Sequence, residues 1–360
     1  MTRFGFIIHP LFPKDLQRRY PIVKYLPDRV IEEFLRRKKP VVASSITGVR
    51  SKTGVETEGW FIGLPLVPSQ MVNGLPIDFV YQRISECVEV AAAQGAQLIG
   101  LGAFSSVVGD GGVTVAGRSP IGVTTGNSYT VATAIQGTVR ALELLEVDTK
   151  NSTLAVVGAT GSIGKTCAKV LGREFGNVIL VGRDLDRTQA VAAEIPNASA
   201  SINIADIKIA DAIITVSSAG KELIMPEHLK PGCVVCDVAR PRDVAARVSK
   251  ERPDVLVIEG GVVSVPGNVE FNFNFGFPPH TAYACMSETM ILALEGDPSL
   301  YNFTLGKDVS VEQVDLITKL AEKHGFELAG MRSFEKAVTE EAIERARKAR
   351  VVAPTVSRVG

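Results

Sequence analysis

The chain has 360 residues, of which 46% are hydrophobic and 22% charged, a composition typical of a globular protein with two or three domains and a full core. Its 39 Lys and Arg residues balance 39 Asp and Glu residues, so no global field favours nucleic acid or an anionic membrane surface. We interpret the basic run Arg36–Lys39 as a solvated helix end; the alternative is a docking patch for an acidic partner.

Targeting and redox features point to a cytoplasmic protein. The apolar run after Met1 is too short for a secretory signal, and no stretch approaches the roughly 20 apolar residues that a membrane span needs. The five cysteines are odd in number and scattered, which favours reduced thiols over a disulfide framework. Cys233 and Cys236 form a C-x-x-C pair inside an apolar run, so we expect packed thiols in a buried strand and no metal site.

In chain order, residues 1–125 form an α/β substrate domain. Its predicted elements are strands over 41–47 and 57–63, a helix over 79–94, a strand over 97–104 and a loop at 109–112. A linker helix follows within 126–149, over 129–146, with its N-cap at Asn127 or Ser128.

The next part, residues 150–277, alternates apolar runs with helical segments. The runs cover 154–157, 177–181, 212–216, 233–236 and 255–258, and each has the unbroken apolar character of a strand buried on both faces. The pattern predicts a Rossmann-type doubly wound parallel sheet of about five strands.

The C-terminal part is predicted to be helical. Residues 278–330 carry helices over 284–294 and 310–323, and 331–360 is a charged tail with a helix over 334–349. We interpret the tail helix as a surface or subunit contact, so a homo-oligomer is among the expectations.

A glycine-rich turn follows the first strand of the predicted sheet. Such glycines permit a tight turn, close approach of the backbone to a pyrophosphate, and tight packing of the following helix, whose N-terminus meets the negative charge. The sequence therefore predicts a dinucleotide site formed by Gly158, Ala159, Thr160, Gly161, Ser162, Ile163 and Gly164.

The residues after the second strand select the dinucleotide. An NAD site usually offers Asp or Glu there, whereas this chain has Arg183 followed by Asp184, with Arg187 one turn later. A guanidinium can bind the oxygens of a 2′-phosphate, so NADPH is the expected cofactor.

Two further loops follow predicted strands. Ser217 and Ser218 follow the run 212–216, and Gly260 and Gly261 follow the run 255–258. Because open α/β sheets bind ligands at the carboxyl ends of strands, these loops should border the nicotinamide half of the cofactor.

The chemistry is less constrained by pattern. A short-chain dehydrogenase needs a Tyr-x-x-x-Lys after the glycine turn, but here that spacing occurs only at Tyr20 and Lys24. A shikimate-type alcohol or ketone dehydrogenase has a similar domain order, but its lysine motif is not found; it stays an alternative, as does an NADP-binding protein without turnover.

Cys285 is the candidate for covalent chemistry. In the first turn of a helix the dipole would lower the pKa of its thiol and raise the thiolate fraction, and His280 could assist. A packed small residue and a loop histidine are the structural alternatives for these two residues.

Several motifs in one order resemble the cyanobacterial long-chain acyl-[acyl-carrier-protein] reductases. The matching stretches are 5–9, 101–106, 124–130, 156–164, 260–263, 284–290 and 323–326, while 12–39 and the tail after 330 depart from the family. The resemblance makes Cys285 the acyl-accepting residue and the first domain the acyl domain.

The resemblance implies reduction of a fatty acyl thioester, on acyl-carrier protein or CoA, to a fatty aldehyde with NADPH. A cysteine thioester is the intermediate, and preorganised donors should meet the oxyanion. The candidates by position are Ser105, Ser106, Thr125 and Asn127, whose hydroxyl or amide groups could equally serve turns and caps.

Overall fold

The computed structural model describes residues 1–18, 20–274, 276 and 278–352. Its strands are β1 (Arg3–Ile8), β2 (Val41–Arg50), β3 (Glu56–Gly63), β4 (Leu98–Gly100), β5 (Gly122–Thr124), β6 (Thr153–Val157), β7 (Asn177–Val181), β8 (Ala198–Ser201), β9 (Ala212–Thr215), β10 (Val234–Asp237), β11 (Leu256–Glu259), β12 (Val262–Ser264), β13 (Gly267–Glu270), β14 (Thr281–Tyr283), β15 (Glu327–Leu328), β16 (Arg332–Ser333) and β17 (Lys336–Ala337).

The helices are α1 (Asp28–Arg37), α2 (Ile77–Ala93), α3 (Phe104–Val107), α4 (Val113–Gly117), α5 (Asn127–Leu144), α6 (Ser162–Leu171), α7 (Leu185–Ala192), α8 (Val248–Glu251), α9 (Ala284–Glu295), α10 (Val311–His324) and α11 (Glu340–Val352), and 3-10 turns include Pro13–Arg18 and Pro21–Tyr25. Within the described part of the chain, no helix is both long and apolar enough to cross a membrane.

The chain divides into two compact units. The first combines residues 1–129 with 263–327, and the second combines 130–262 with 328–360, of which 353–360 lie outside the described residues. The units therefore follow contacts rather than chain order: the segment with Cys285 packs with the N-terminal part. The five-segment division proposed from the sequence stays a prediction.

The first unit contains a six-stranded mixed sheet in the order β13-β2-β3-β1-β4-β5. Strands β3, β1, β4 and β5 are parallel, and β2 is antiparallel to its neighbours. Helix α2 packs on this sheet through Val80, Ile84 and Val88, whose spacing of four residues places them on one buried face. The helix predicted over 79–94 is thus confirmed.

The second unit contains an all-parallel sheet in the order β8-β7-β6-β9-β10-β11. Counted along the chain from β6, this is the 3-2-1-4-5-6 order of a dinucleotide-binding fold, with the switch point between β6 and β9. The α/β class and the Rossmann sheet are confirmed. Cys233 and Cys236 are fully buried, and burial raises the pKa of both thiols to about 12, as expected for packed cysteines.

Four boundaries differ from the sequence predictions. The sheet has a sixth strand, β8, whose alternating Ala and Ser residues contain no apolar run. The strand predicted over 97–104 ends at Gly100, since the chain turns at Ala103, with φ of 45°. Helix α5 begins at Asn127, so Asn127 and Ser128 lie inside it. The tail begins with the β16–β17 hairpin, turned by Phe334 and Glu335 at positive φ, before α11.

Candidate functional site

In the second unit, the glycine turn connects β6 to α6 at the switch point of the sheet. Gly158 has φ of +83°, and a Cβ there would lie 2.9 Å from the Val216 carbonyl oxygen. A Cβ on Gly164 would lie 2.4 Å from the Gly158 carbonyl oxygen. Only glycine permits this turn and this close packing of α6.

The opening of α6 is suited to an anion. Its N-cap, Gly161, is exposed and supplies no side chain to the backbone N–H groups of the first turn. Ala159 is buried, whereas Thr160, Ser162 and Ile163 are half-buried. A pyrophosphate would therefore meet backbone and the positive end of a helix ten residues long.

The turn after β7 presents two cations. Arg183 and Arg187 are both exposed, and neither guanidinium makes a hydrogen bond or ion pair with any described residue. Asp184 caps α7, since its carboxylate accepts a hydrogen bond from the Arg187 backbone N–H at 3.0 Å. Its carboxylate therefore has a structural task at the start of α7.

The loops after β9 and β11 lie at the carboxyl edge of the sheet, as their positions predicted. The Ser217 hydroxyl donates to the Asp243 carboxylate at 2.6 Å, and its backbone N–H donates to the same group at 2.8 Å. Ser218 is exposed, whereas Gly260 and Gly261 are buried, Gly261 with φ of +82°.

Buried carboxylates at this edge were not anticipated. Asp237 and Asp243 are at most 1% exposed, and burial raises the pKa of both, that of Asp237 to about 6. Glu259 pairs with Arg242 at 2.8 Å. The sequence signal that could have identified these carboxylates is an acidic residue directly at the end of an apolar run, as in Val234–Asp237 and Leu256–Glu259.

In the first unit, the parallel strands β1, β4 and β5 end at one edge of the sheet. His9 follows β1, the segment 102–106 follows β4, and the segment 125–127 follows β5. Because the strands are parallel, these three segments lie at the same carboxyl edge. None of them forms part of the sheet, so they are available to build a site.

Cys285 is the second residue of α9, as predicted, and it is the one partly exposed residue among the five cysteines. The predicted low pKa is wrong. Burial raises the pKa of the thiol to about 12, and the nearby Glu288 carboxylate adds to the rise, although the backbone N–H groups of Met286 and Ala103 act in the opposite direction. Desolvation of the thiolate therefore outweighs the helix terminus.

Gly126 lies directly against Cys285. A Cβ on Gly126 would be 2.3 Å from the Cys285 Cα and 2.4 Å from its Cβ, and the φ of Gly126 is +75°. The Thr289 hydroxyl donates back to the Cys285 carbonyl at 3.2 Å. The position of the thiol is thus set by backbone packing at the end of β5.

Glu288 lies one turn after Cys285 and is fully buried. One carboxylate oxygen accepts the Thr124 and Thr304 hydroxyls at 2.6 and 2.8 Å, and the other accepts the Tyr129 backbone N–H at 2.9 Å. Burial raises its pKa. Tyr129 is in the first turn of α5, so Glu288 ties α9 to the start of that helix.

His9 holds the turn after β4. The Phe104 backbone N–H donates to His9 Nε2 at 3.2 Å, so the proton must lie on Nδ1, which is 3.0 Å from the Pro10 carbonyl oxygen. Burial lowers the pKa of His9. The neutral ring therefore holds the backbone of Phe104, the residue directly after the strained Ala103 with its φ of 45°.

The four residues suggested as oxyanion donors are buried, and the hydroxyls of the three Ser and Thr residues donate to backbone carbonyls. Ser105 and Ser106 donate to the Gly102 and Ala103 carbonyls at 2.8 and 2.7 Å. The Thr125 hydroxyl donates to the Thr304 carbonyl at 3.2 Å, and Asn127 is 4% exposed. His280 is exposed, and its side chain makes no hydrogen bond with a described residue. The contact of Gly126 with Cys285 was missed because it joins positions far apart in the chain.

The residues 140–259 match the family model "Shikimate / quinate 5-dehydrogenase". This range lies in the second unit, so it matches the nucleotide-binding part of the chain. Together with the strand order and the glycine turn, the match indicates an NAD(P)-dependent oxidoreductase.

Two relatives align with most of the chain. The chain is 28% identical over 357 residues to "Aminotransferase PigE" of a Serratia species, covering 95% of this chain but 41% of that protein. It is 26% identical over 329 residues to the "Long-chain acyl-[acyl-carrier-protein] reductase" of Synechococcus elongatus, covering 87% of this chain and 94% of that protein. Among solved structures, L-tryptophan dehydrogenase from Nostoc punctiforme is 11% identical over 97% of this chain and 88% of its own, with a TM-score of 0.42.

Proposed function

We propose that the protein reduces a fatty acyl thioester, carried by acyl-carrier protein or CoA, to a fatty aldehyde with NADPH. The observation that carries the proposal is the placement of the partly exposed Cys285 in the first turn of α9, directly against Gly126 at the carboxyl edge of the first unit's sheet. The alignment with the cyanobacterial reductase over nearly its whole length supports the same reading.

The chain's residues fit the dinucleotide. Gly158, Gly161 and Gly164 would hold the pyrophosphate against α6, and Arg183 with Arg187 would bind the 2′-phosphate. When bound, NADPH supplies the hydride for the reduction.

Cys285 forms the covalent link to the acyl group. Its sulfur bonds to the thioester carbonyl carbon, the bond from that carbon to the carrier sulfur breaks, and the proton lost by Cys285 ends on the carrier thiol. Thioester exchange consumes no net proton, but the attacking species is the thiolate, so the Cys285 proton must leave before or during the attack. As charge builds on the carbonyl oxygen, backbone N–H groups in the first turn of α9, such as that of Met286, would be the donors that meet it. A hydride on the carbonyl carbon and a proton from water on its oxygen would convert the acyl-cysteine into a thiohemiacetal, whose carbon–sulfur bond then breaks to release the aldehyde and restore the thiol.

The acyl adduct is the direct test. Incubation with a panel of acyl-CoA and acyl-carrier-protein thioesters without NADPH should add one acyl mass to the wild-type chain. Cys285→Ala should lose the adduct, whereas Cys87→Ala, which alters a fully buried cysteine, should keep it. Absence of an adduct across all chain lengths would refute the proposal.

The cofactor assignment has a separate test. Arg183→Ala should weaken NADPH binding about tenfold to a hundredfold, since a charge-assisted hydrogen bond contributes roughly 1.5–3 kcal/mol, and it should leave NADH binding nearly unchanged. Arg173→Ala, at an exposed position of the same unit, is the matched control. Equal losses for the two dinucleotides would exclude the 2′-phosphate contact.

A shikimate-type dehydrogenase is the second candidate, because the matched family model covers the nucleotide-binding residues 140–259. Its prediction is distinct: NADP-dependent oxidation of shikimate or quinate that persists in Cys285→Ala. Tight NADPH binding without turnover of either substrate class would leave the third expectation, a non-catalytic NADP-binding protein.

A further inference from the structure

A small lobe near the N-terminus, residues 11–42, differs in charge from the rest of the chain. It contains nine Lys and Arg residues against four Asp and Glu residues, although the chain as a whole is neutral. We propose that this lobe attaches the protein to a membrane surface rich in anionic lipid. The proposal goes beyond the proposed reaction and does not depend on it.

The lobe has its own interior. Ile31 and Leu35 of α1 are buried with Val23 and Val67. The Lys14 ammonium group donates to the carbonyls of Val23, Lys24 and Leu26, which joins the two 3-10 turns. The lobe is therefore built to hold a defined outer surface.

That outer surface is apolar to an unusual degree. Val30 and Phe34 are about half exposed and lie four residues apart, so they share a face of α1 that is adjacent to the buried face of Ile31 and Leu35. Other large apolar side chains of the lobe that are at least 38% exposed are Phe12, Tyr20, Ile22, Tyr25, Val41 and Val42. A concentration of this kind marks an interaction surface.

The acidic side chains of the lobe already have partners. Asp15 accepts the backbone N–H groups of Leu11 and Phe12, and Asp28 lies 3.8 Å from the Lys14 ammonium. Glu32 accepts the Ser69 hydroxyl, and Glu33 pairs with Arg36 and Arg37. By contrast, Lys24, Arg29, Lys38 and Lys39 have no carboxylate partner within the described part of the chain. With nine basic and four acidic residues, the lobe keeps a net positive charge.

The combination favours lipid over an acidic protein. The Lys38 ammonium lies 4.6 Å from the Phe34 ring centroid, and the Lys24 ammonium 6.0 Å from that of Tyr25. Aromatic rings with adjacent lysines suit the level of lipid headgroups, where the ring is half immersed and the ammonium meets phosphate. Protein interfaces, by contrast, are depleted in lysine.

Vesicle sedimentation with the full chain tests the proposal. The protein should bind phosphatidylcholine vesicles containing about one third phosphatidylglycerol, bind pure phosphatidylcholine at least tenfold more weakly, and dissociate at high salt. Lys38→Gln/Lys39→Gln should weaken binding about thirtyfold, from roughly fivefold per cation, and Phe34→Ser about tenfold. The matched control is Lys208→Gln/Ile209→Ser, which removes an exposed cation and an exposed apolar residue of the second unit.

Three outcomes would overturn the proposal. The first is equal binding, or no binding, to the two vesicle types; the second is equal loss in the lobe variants and the control. The third is that the lobe binds protein and not vesicles. In that case the chain would be retained on purified acyl-carrier protein, or it would form a dimer that is lost in Phe34→Ser. Unchanged Trp60 fluorescence would show that the lobe variants, which lie in the first unit, are folded, and an unchanged circular-dichroism melting curve would show it for the control in the second unit.

Discussion

Replacing Gly126 by alanine tests whether backbone packing positions Cys285. The alanine Cβ would lie 2.3 Å from the Cys285 Cα and 2.7 Å from its carbonyl oxygen, and φ is +75°. A left-handed conformation costs a non-glycine residue about 1–2 kcal/mol, and overpacking adds about 1–3 kcal/mol. Because the obstructing atoms are mostly backbone, we expect a total loss of about 2–5 kcal/mol, together with loss of acylation at Cys285.

Gly54→Ala separates the two contributions. Gly54 also has positive φ, +90°, but a Cβ there would meet nothing within 4 Å, so only the conformational cost of about 1–2 kcal/mol applies. Both glycines and Trp60, the one tryptophan of the chain, belong to the first unit. Urea unfolding followed by tryptophan fluorescence therefore compares them in one transition. Equal losses in the two variants, with acylation retained in Gly126→Ala, would refute the reasoning.

Three further predictions concern single groups. Glu288→Ala should destabilise the first unit by about 2–4 kcal/mol, because it leaves the buried Tyr129 N–H and the Thr124 hydroxyl without their acceptor; an unchanged urea midpoint would contradict the tie between α9 and the start of α5. Alkylation of Cys285 by iodoacetamide should rise about tenfold per pH unit from about pH 7 to 9, since the thiol pKa of about 12 keeps the thiolate a minor species throughout; a plateau near neutral pH is the opposing result. Gly164→Ala should weaken NADPH binding at least tenfold and destabilise the second unit, since its Cβ would lie 2.4 Å from a backbone oxygen. Gly161→Ala, whose Cβ would have its nearest contact at 3.4 Å, should leave the thermal stability of the second unit unchanged. Equal destabilisation by the two variants would count against the packing role of Gly164.

Local sequence pattern was sufficient to predict the fold of the second unit. The order of apolar runs and the glycine turn predicted the parallel sheet, because strands buried on both faces leave a continuous apolar signal. Strand β8 escaped this reasoning, since an edge strand of Ala and Ser has no such signal. From the sequence, Asp184 could either bind the ribose of the cofactor or cap α7. Only the hydrogen bond from the Arg187 backbone N–H distinguishes the two roles.

The site in the first unit could not be predicted from local pattern, because it depends on contacts between distant parts of the chain. Cys285 was correctly placed in the first turn of a helix, but its pKa depends on desolvation by residues that pattern cannot bring together. Glu288, Thr124 and Thr304 illustrate the same point, since each is unremarkable alone and their bonds join three segments. The role of Gly126 likewise follows only from its distance to Cys285.

The uneven distribution of charge at the N-terminal lobe has a consequence for how the protein behaves in a column. Nine basic and four acidic residues in 11–42 leave that lobe at +5, so the remainder of a neutral chain carries −5. Retention on an ion exchanger depends on the local charge of the surface that faces the resin rather than on the net charge of the protein. Near pH 7, where the net charge is zero, the protein should bind a sulfonate resin through the lobe, and Lys38→Gln/Lys39→Gln should elute at lower salt.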